Sequence, residues 1–290
     1  MSAEVIFREY DRAALDTQYN NSAAVPEHVE HSARWTHDGA AALGEFAHQL
    51  DIGYGPSSAE TLDVFPGKSG APAPVQVFFH GGYWMSRDKD EFRFLARAFV
   101  PAGAALVLVN YALIPTVDMD ELVRQCRAAL AWVYRNASSF NGDPNRIFIS
   151  GHSAGGHLVA MMMATDWPAF AEVPQDVVKG GCAVSGVYDL APIPLCYLNH
   201  TLHLSAGEVE RNNPIQLKSR STAPLILAYG GLESAEFHRQ SREFADAWNP
   251  QGVSCQIIEC PGMNHFTILD DFLDRGSLLG QAVMAQMGLA

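Results

Sequence analysis

Seven short runs of apolar, β-rich residues recur along the chain, at 61–65, 75–79, 104–110, 146–150, 180–185, 224–230 and 253–259. Between most of them lie stretches with the 3.6-residue periodicity of amphipathic helices, at about 89–99, 119–137, 156–165, 236–248 and 276–287. Strands alternating with helices predict a mainly parallel, twisted sheet flanked by helices, an α/β fold. Asp118 is placed to cap the second helix and Gly103 to follow the first. The runs at 52–54 and 61–65 are short and bounded by turn residues, which suits antiparallel strands at one edge. From 190 to 223 the rhythm breaks into a mixture of Pro, Asn, His and Leu. That stretch is expected to be a cap inserted over the carboxyl ends of the strands, within a single domain spanning 1–290.

Composition narrows the function classes. With 290 residues, 48% of them hydrophobic, the chain can bury a sizeable core. A formal net charge of −13 without a basic cluster argues against nucleic acid and anionic membranes as partners, because phosphate surfaces demand grouped Lys and Arg. The start, Met1 to Glu9, lacks the basic and apolar blocks of a leader, and no run approaches the length of a membrane span, so a soluble, cytoplasmic protein is expected. Cys126, Cys182, Cys196, Cys255 and Cys260 are odd in number and scattered, suggesting reduced thiols rather than disulfides. No histidine spacing suggests a metal, and no cofactor is called for.

The candidate chemistry begins at Gly151-His152-Ser153-Ala154-Gly155, which directly follows the run at 146–150 and directly precedes a helical pattern. A serine hydroxyl is a weak nucleophile, and this strand, turn and helix would hold it exposed to a base. In this motif's chain order an acid and then a histidine follow at later strand ends. Glu233 and His265 occupy those positions, with His265 as general base and acid and Glu233 fixing its tautomer. Asp270 and Asp271 come after the histidine, Asp246 falls in a helical pattern, and His152 and His157 lie too close to the turn to serve as the base. After the run at 75–79, His80-Gly81-Gly82-Tyr83-Trp84 offers close-approaching backbone for an oxyanion hole, in which Gly81 and Gly82 face the N–H of Ala154. His80 is expected to brace that loop.

HGGYW at 80–84, GHSAGGHL at 151–158, SGVYDL at 185–190 and SAEFHRQSREF at 234–244 together resemble kynurenine formamidase (arylformamidase), in the hormone-sensitive-lipase-like branch of the α/β-hydrolase fold. The first two motifs are shared with many esterases, and the run 236–241 is the more discriminating. The resemblance implies Ser153, Glu233 and His265 as a triad, with Glu where the family often has Asp, and cleavage of N-formyl-L-kynurenine through a formyl-serine. It also implies a cramped acyl pocket beside Tyr83 and Trp84 and an aromatic slot near Tyr188, Tyr197, Asn199 and His200, taking a small-molecule substrate, in a homodimer as an ordinary state for this branch. A carboxylesterase sharing the same machinery and a noncatalytic binding protein on the same fold are the alternatives.

Overall fold

The structure is a computed structural model that describes residues 4–68 and 70–289, so the start of the Met1–Glu9 stretch lies outside the described residues. A two-stranded antiparallel hairpin, β1 (Val5–Phe7) and β2 (Tyr10–Asp11), precedes the eight strands of the main sheet. These are β3 (Gln49–Gly53), β4 (Thr61–Phe65), β5 (Ala73–Phe79), β6 (Ala105–Val109), β7 (Gly142–His152), β8 (Val178–Val184), β9 (Leu225–Gly230) and β10 (Cys255–Cys260). Their spatial order is β10-β9-β8-β7-β5-β6-β4-β3, with β4 antiparallel to both of its neighbours, β3 and β6, and every other pairing parallel.

Pleating sends alternate residues to opposite faces, and both faces are covered. Val75, Val77 and Phe79 of β5 and Ile147 and Ile149 of β7 join the core under the helices Met119–Asn136, Ala154–Met163 and Ala235–Trp248. Phe78 and Phe148 point the other way, into a second core with Trp35, Phe99, Leu269 and Val283 from the helices His28–Glu45, Ala96–Ala102, Ile268–Leu273 and Leu278–Gln286. Asp118 caps its helix by accepting from Glu121 N–H, and Gly103 ends another at φ 100°.

The helix expected over 89–99 is a 3₁₀ helix, Lys89–Leu95, that passes into the α-helix Ala96–Ala102. Lys89, Phe92 and Leu95 are all buried, and a spacing of three lines them up on one side of a three-residue turn. The amino-terminal helices Arg12–Tyr19 and His28–Glu45 were not marked by the sequence pattern. The longer one buries only Trp35, Gly39 and Ala42, a stripe too small and too weakly apolar to stand out.

The order in which successive parallel strands join the sheet reverses at β5, with β6 on one side and β7 on the other, the place where such sheets open a crevice at the strand ends. Phe79 stands opposite Gly151, so the loops that follow β5 and β7 emerge side by side. Gly230 stands opposite Cys260 in the same way, which brings the loops after β9 and β10 together.

Candidate active site

Ser153 sits between β7 and the helix Ala154–Met163 with φ 57° and ψ −119°, a left-handed φ that non-glycine residues rarely hold. The turn is sustained by small neighbours. A Cβ on Gly151 would collide with Gly155 O, and one on Gly155 would collide with Phe79 O, so both positions let helix and strand close on the serine. Among the described residues no hydrogen bond reaches the Ser153 hydroxyl; such contacts often tighten only when substrate is bound.

His265 and Ser153 line the same cleft, of about 180 Å³. The His265 ring is oriented from behind. Its Nδ1 lies 2.9 Å from Glu233 Oε2, and the Glu233 side chain is fully removed from solvent. The other carboxylate oxygen, Oε1, accepts from Gly230 N–H at 2.7 Å and from Ser185 Oγ at 2.5 Å. A carboxylate that accepts three bonds has no freedom to turn away. Ser185 was not singled out as a site residue in the sequence, although it opens the SGVYDL motif at the end of β8.

His152 is buried beside this pair, its ring 4.8 Å from that of His265 and its Nε2 2.7 Å from His265 O. Burial, followed by the nearby His265, pushes its pKa well below the ordinary imidazole value, so it stands neutral and donates to that carbonyl.

Across the cleft runs the loop after β5. Gly81 lies against the Ser153 turn, since a Cβ there would be 2.8 Å from His152 O and 3.0 Å from Ser153 Cβ. Gly82 has φ 106°, where a side chain would strike Ser86 O. Among the described residues the N–H groups of Gly81, Gly82 and Ala154 have no hydrogen-bond acceptor, which leaves three donors beside Ser153 free for an oxyanion. His80 Nδ1 lies 2.8 Å from Gly81 O and Nε2 3.2 Å from Asn110 Oδ1, while its ring stacks on Tyr111 at 4.2 Å. Burial lowers its pKa to about 4.

The residues expected to bind substrate divide. Tyr83 and Tyr197 line the cleft. Trp84 is buried beneath it and donates from Nε1 to His157 Nδ1 at 3.2 Å, while His157 Nε2 donates to Asn212 O at 2.8 Å. Tyr188 is buried against Phe244, ring centroids 4.4 Å apart, because the chain turns inward after β8. Asn199 Oδ1 caps Leu204 N–H, and His200 lies exposed beside Arg12. None of these four lines the cleft.

The segment 190–223 forms short helices, Asn199–Leu202 and Ala206–Arg211, whose anchors include Asn212 O on His157 and Arg211 on Asp120. The opposite wall comes from the amino-terminal segment, which supplies Asn21 and Ser22. Tyr83 OH donates to Tyr19 O at 2.8 Å and accepts from Asn21 Nδ2 at 3.2 Å. Met85, Ser86, Arg87 and Phe266 complete the lining. Neither Asn21 nor Arg87 sits in a motif that spacing could flag.

One carboxylate cluster, Asp51, Asp63 and Asp90, occurs among the described residues. Lys89 Nζ lies 2.7, 3.2 and 2.8 Å from its three members, so a protein cation already occupies the centre. Among the described residues no helix is long and apolar enough to cross a membrane.

The fold and the site define a serine hydrolase of the α/β-hydrolase class. Residues 62–247 match the BD-FAE family. The kynurenine formamidase of Danio rerio is 36% identical over 82% of this chain and 82% of its own length, and that of Salmo salar is 34% identical over the same shares. A solved structure from Silicibacter sp. TM1040, described as a candidate thioesterase, is 26% identical with a TM-score of 0.82 and covers 93% of this chain and 98% of its own. The chain belongs to the kynurenine formamidase family.

Proposed function

We propose that the protein hydrolyses an aryl formamide, N-formyl-L-kynurenine, to L-kynurenine and formate. The observation that carries the reading is the Glu233–His265 pair, 2.9 Å apart on the cleft that Ser153 also lines, in a chain whose relatives are kynurenine formamidases. In the first half-reaction His265 Nε2 takes the Ser153 proton as Oγ attacks the formyl carbon, and the oxygen that becomes negative is met by the free N–H groups of Gly81, Gly82 and Ala154. The imidazolium, held by Glu233 at Nδ1, then gives its proton to the departing aryl nitrogen. Water repeats the sequence on the formyl-serine and releases formate.

Tyr83 supports a small acyl group, because its hydroxyl is fixed from two sides by Tyr19 O and Asn21 and cannot swing out of the cleft. Five free cysteines accord with the reducing cytoplasm as the place of action.

The test is kcat/KM on N-formyl-L-kynurenine beside p-nitrophenyl acetate and butyrate, with Ser153→Ala as the blank. The formamide is expected to exceed both esters, with butyrate slowest and all activity lost in the blank. Rapid serine-dependent ester cleavage with no kynurenine release would make the protein a carboxylesterase.

A further inference from the structure

Resting on the aryl formamide reading, we propose that Arg87 is the residue that selects substrates carrying a carboxylate on the leaving group, by pairing with that carboxylate at the end of the cleft beside Phe266. Among the described residues that line the cleft, Arg87 is the only Lys, Arg, Asp or Glu. In a chain with a net charge of −13 the long-range field repels an anion, so an anionic substrate group needs a local cation to hold it.

Arg87 is held ready for that task. Its backbone has φ 74°, its Nη1 lies 2.6 Å from Glu91 Oε2, and its Nη2 donates to Ser32 Oγ at 3.2 Å. The guanidinium lies 5.3 Å from the Trp35 ring and 6.0 Å from the Phe266 ring. Supports from the 3₁₀ helix Lys89–Leu95, the helix His28–Glu45 and the residue after His265 fix one side chain at the cleft. A guanidinium has five N–H donors, and Glu91 and Ser32 engage two, which leaves a forked face for a carboxylate. Phe266 also stacks with His28 and His31, at 5.6 and 6.3 Å, and His31 Nε2 is buried without a partner. The leaving group would thus meet an aromatic ring adjoining the general base and a cation beyond it.

The experiment compares three aryl formamides that share the reacting bond: N-formyl-L-kynurenine, its deaminated analogue 4-(2-formamidophenyl)-4-oxobutanoate, and the neutral N-(2-acetylphenyl)formamide. The read-out is the ratio of kcat/KM for each carboxylated compound to that for the neutral one. In the parent protein both ratios are expected above about 30, and in Arg87→Gln both fall at least tenfold through KM, with Arg87→Lys recovering part of the loss. Ratios that stay at the parent value in Arg87→Gln, or a parent protein that shows no preference, overturn the proposal. Melting temperatures of both variants identify a folding defect, and because the neutral formamide is the internal reference, a general loss of activity cancels in the ratio. If the parent cleaves none of the formamides, the aryl formamide reading fails. The Arg87 proposal is then read on phenyl acetate against 4-acetoxyphenylacetate, where the same tenfold fall in Arg87→Gln supports it and an unchanged ratio overturns it.

Discussion

At the scale of single residues the site depends on groups whose partners leave them no second choice. Glu233 spends one oxygen on His265 and the other on Gly230 N–H and Ser185 Oγ. Glu233→Gln keeps the shape but presents an amide to a ring that needs an acceptor, so the wrong tautomer forms; kcat is expected to fall by about 10³ to 10⁴ with KM little changed, measured by steady-state kinetics. Ser185→Ala removes one support and leaves the acid in place, and a fall in kcat of roughly tenfold, about 1.4 kcal/mol, is expected in the same assay. That Glu233 and His265 meet was legible in the sequence because each follows a strand in the order the motif expects. Ser185 was not, since a serine at a strand end looks like any other until its partner is in place.

The elements set the geometry through close approach. Gly155 stands where the helix after Ser153 crosses Phe79 O, and Gly155→Ala would drive a methyl into that carbonyl. The variant is expected to lose at least about 3 kcal/mol of stability, read from urea unfolding, and to lose activity even where it folds. The amino-terminal helix Arg12–Tyr19 acts as a strap across several loops. Tyr19 donates from its hydroxyl to Glu236 at 2.7 Å and receives Gln240 Nε2 at 2.8 Å, while its carbonyl accepts from Tyr83 and Tyr197. Tyr19→Phe removes one bond each from Glu236 and Gln240, which keep their bonds to Arg239 and Asp189 O, and a loss of about 1 kcal/mol in chemical denaturation is expected. The sequence pattern does not mark this helix because it buries only Leu15 and Tyr19, and Tyr19 finds its partners 64 to 221 residues away.

For the whole molecule, histidines buried neutral tie stability to pH. His80 and His157 each have a pKa lowered to about 4, in both cases chiefly by burial and opposed by a hydrogen bond to a carbonyl. Their ordinary value is near 6.5, so between 6.5 and 4 the unfolded chain binds protons that the folded chain refuses. Stability is therefore full above pH 6.5 and falls as pH drops, by about 2 kcal/mol for each histidine at pH 5. A melting temperature lower by roughly 5 °C at pH 5 than at pH 7 is expected from scanning calorimetry. The sequence by itself determined the alternating strands and helices, the antiparallel edge, and the two glycine-flanked motifs with their acid and histidine, because local periodicity and turn chemistry act over a few residues. Only the tertiary structure decided which aromatic and polar groups reach the cleft. Trp84 and Tyr188 turn into the core while Asn21 and Arg87 line the cleft that Ser153 also lines, and such directions are fixed by packing between segments far apart in the chain, which no local pattern records.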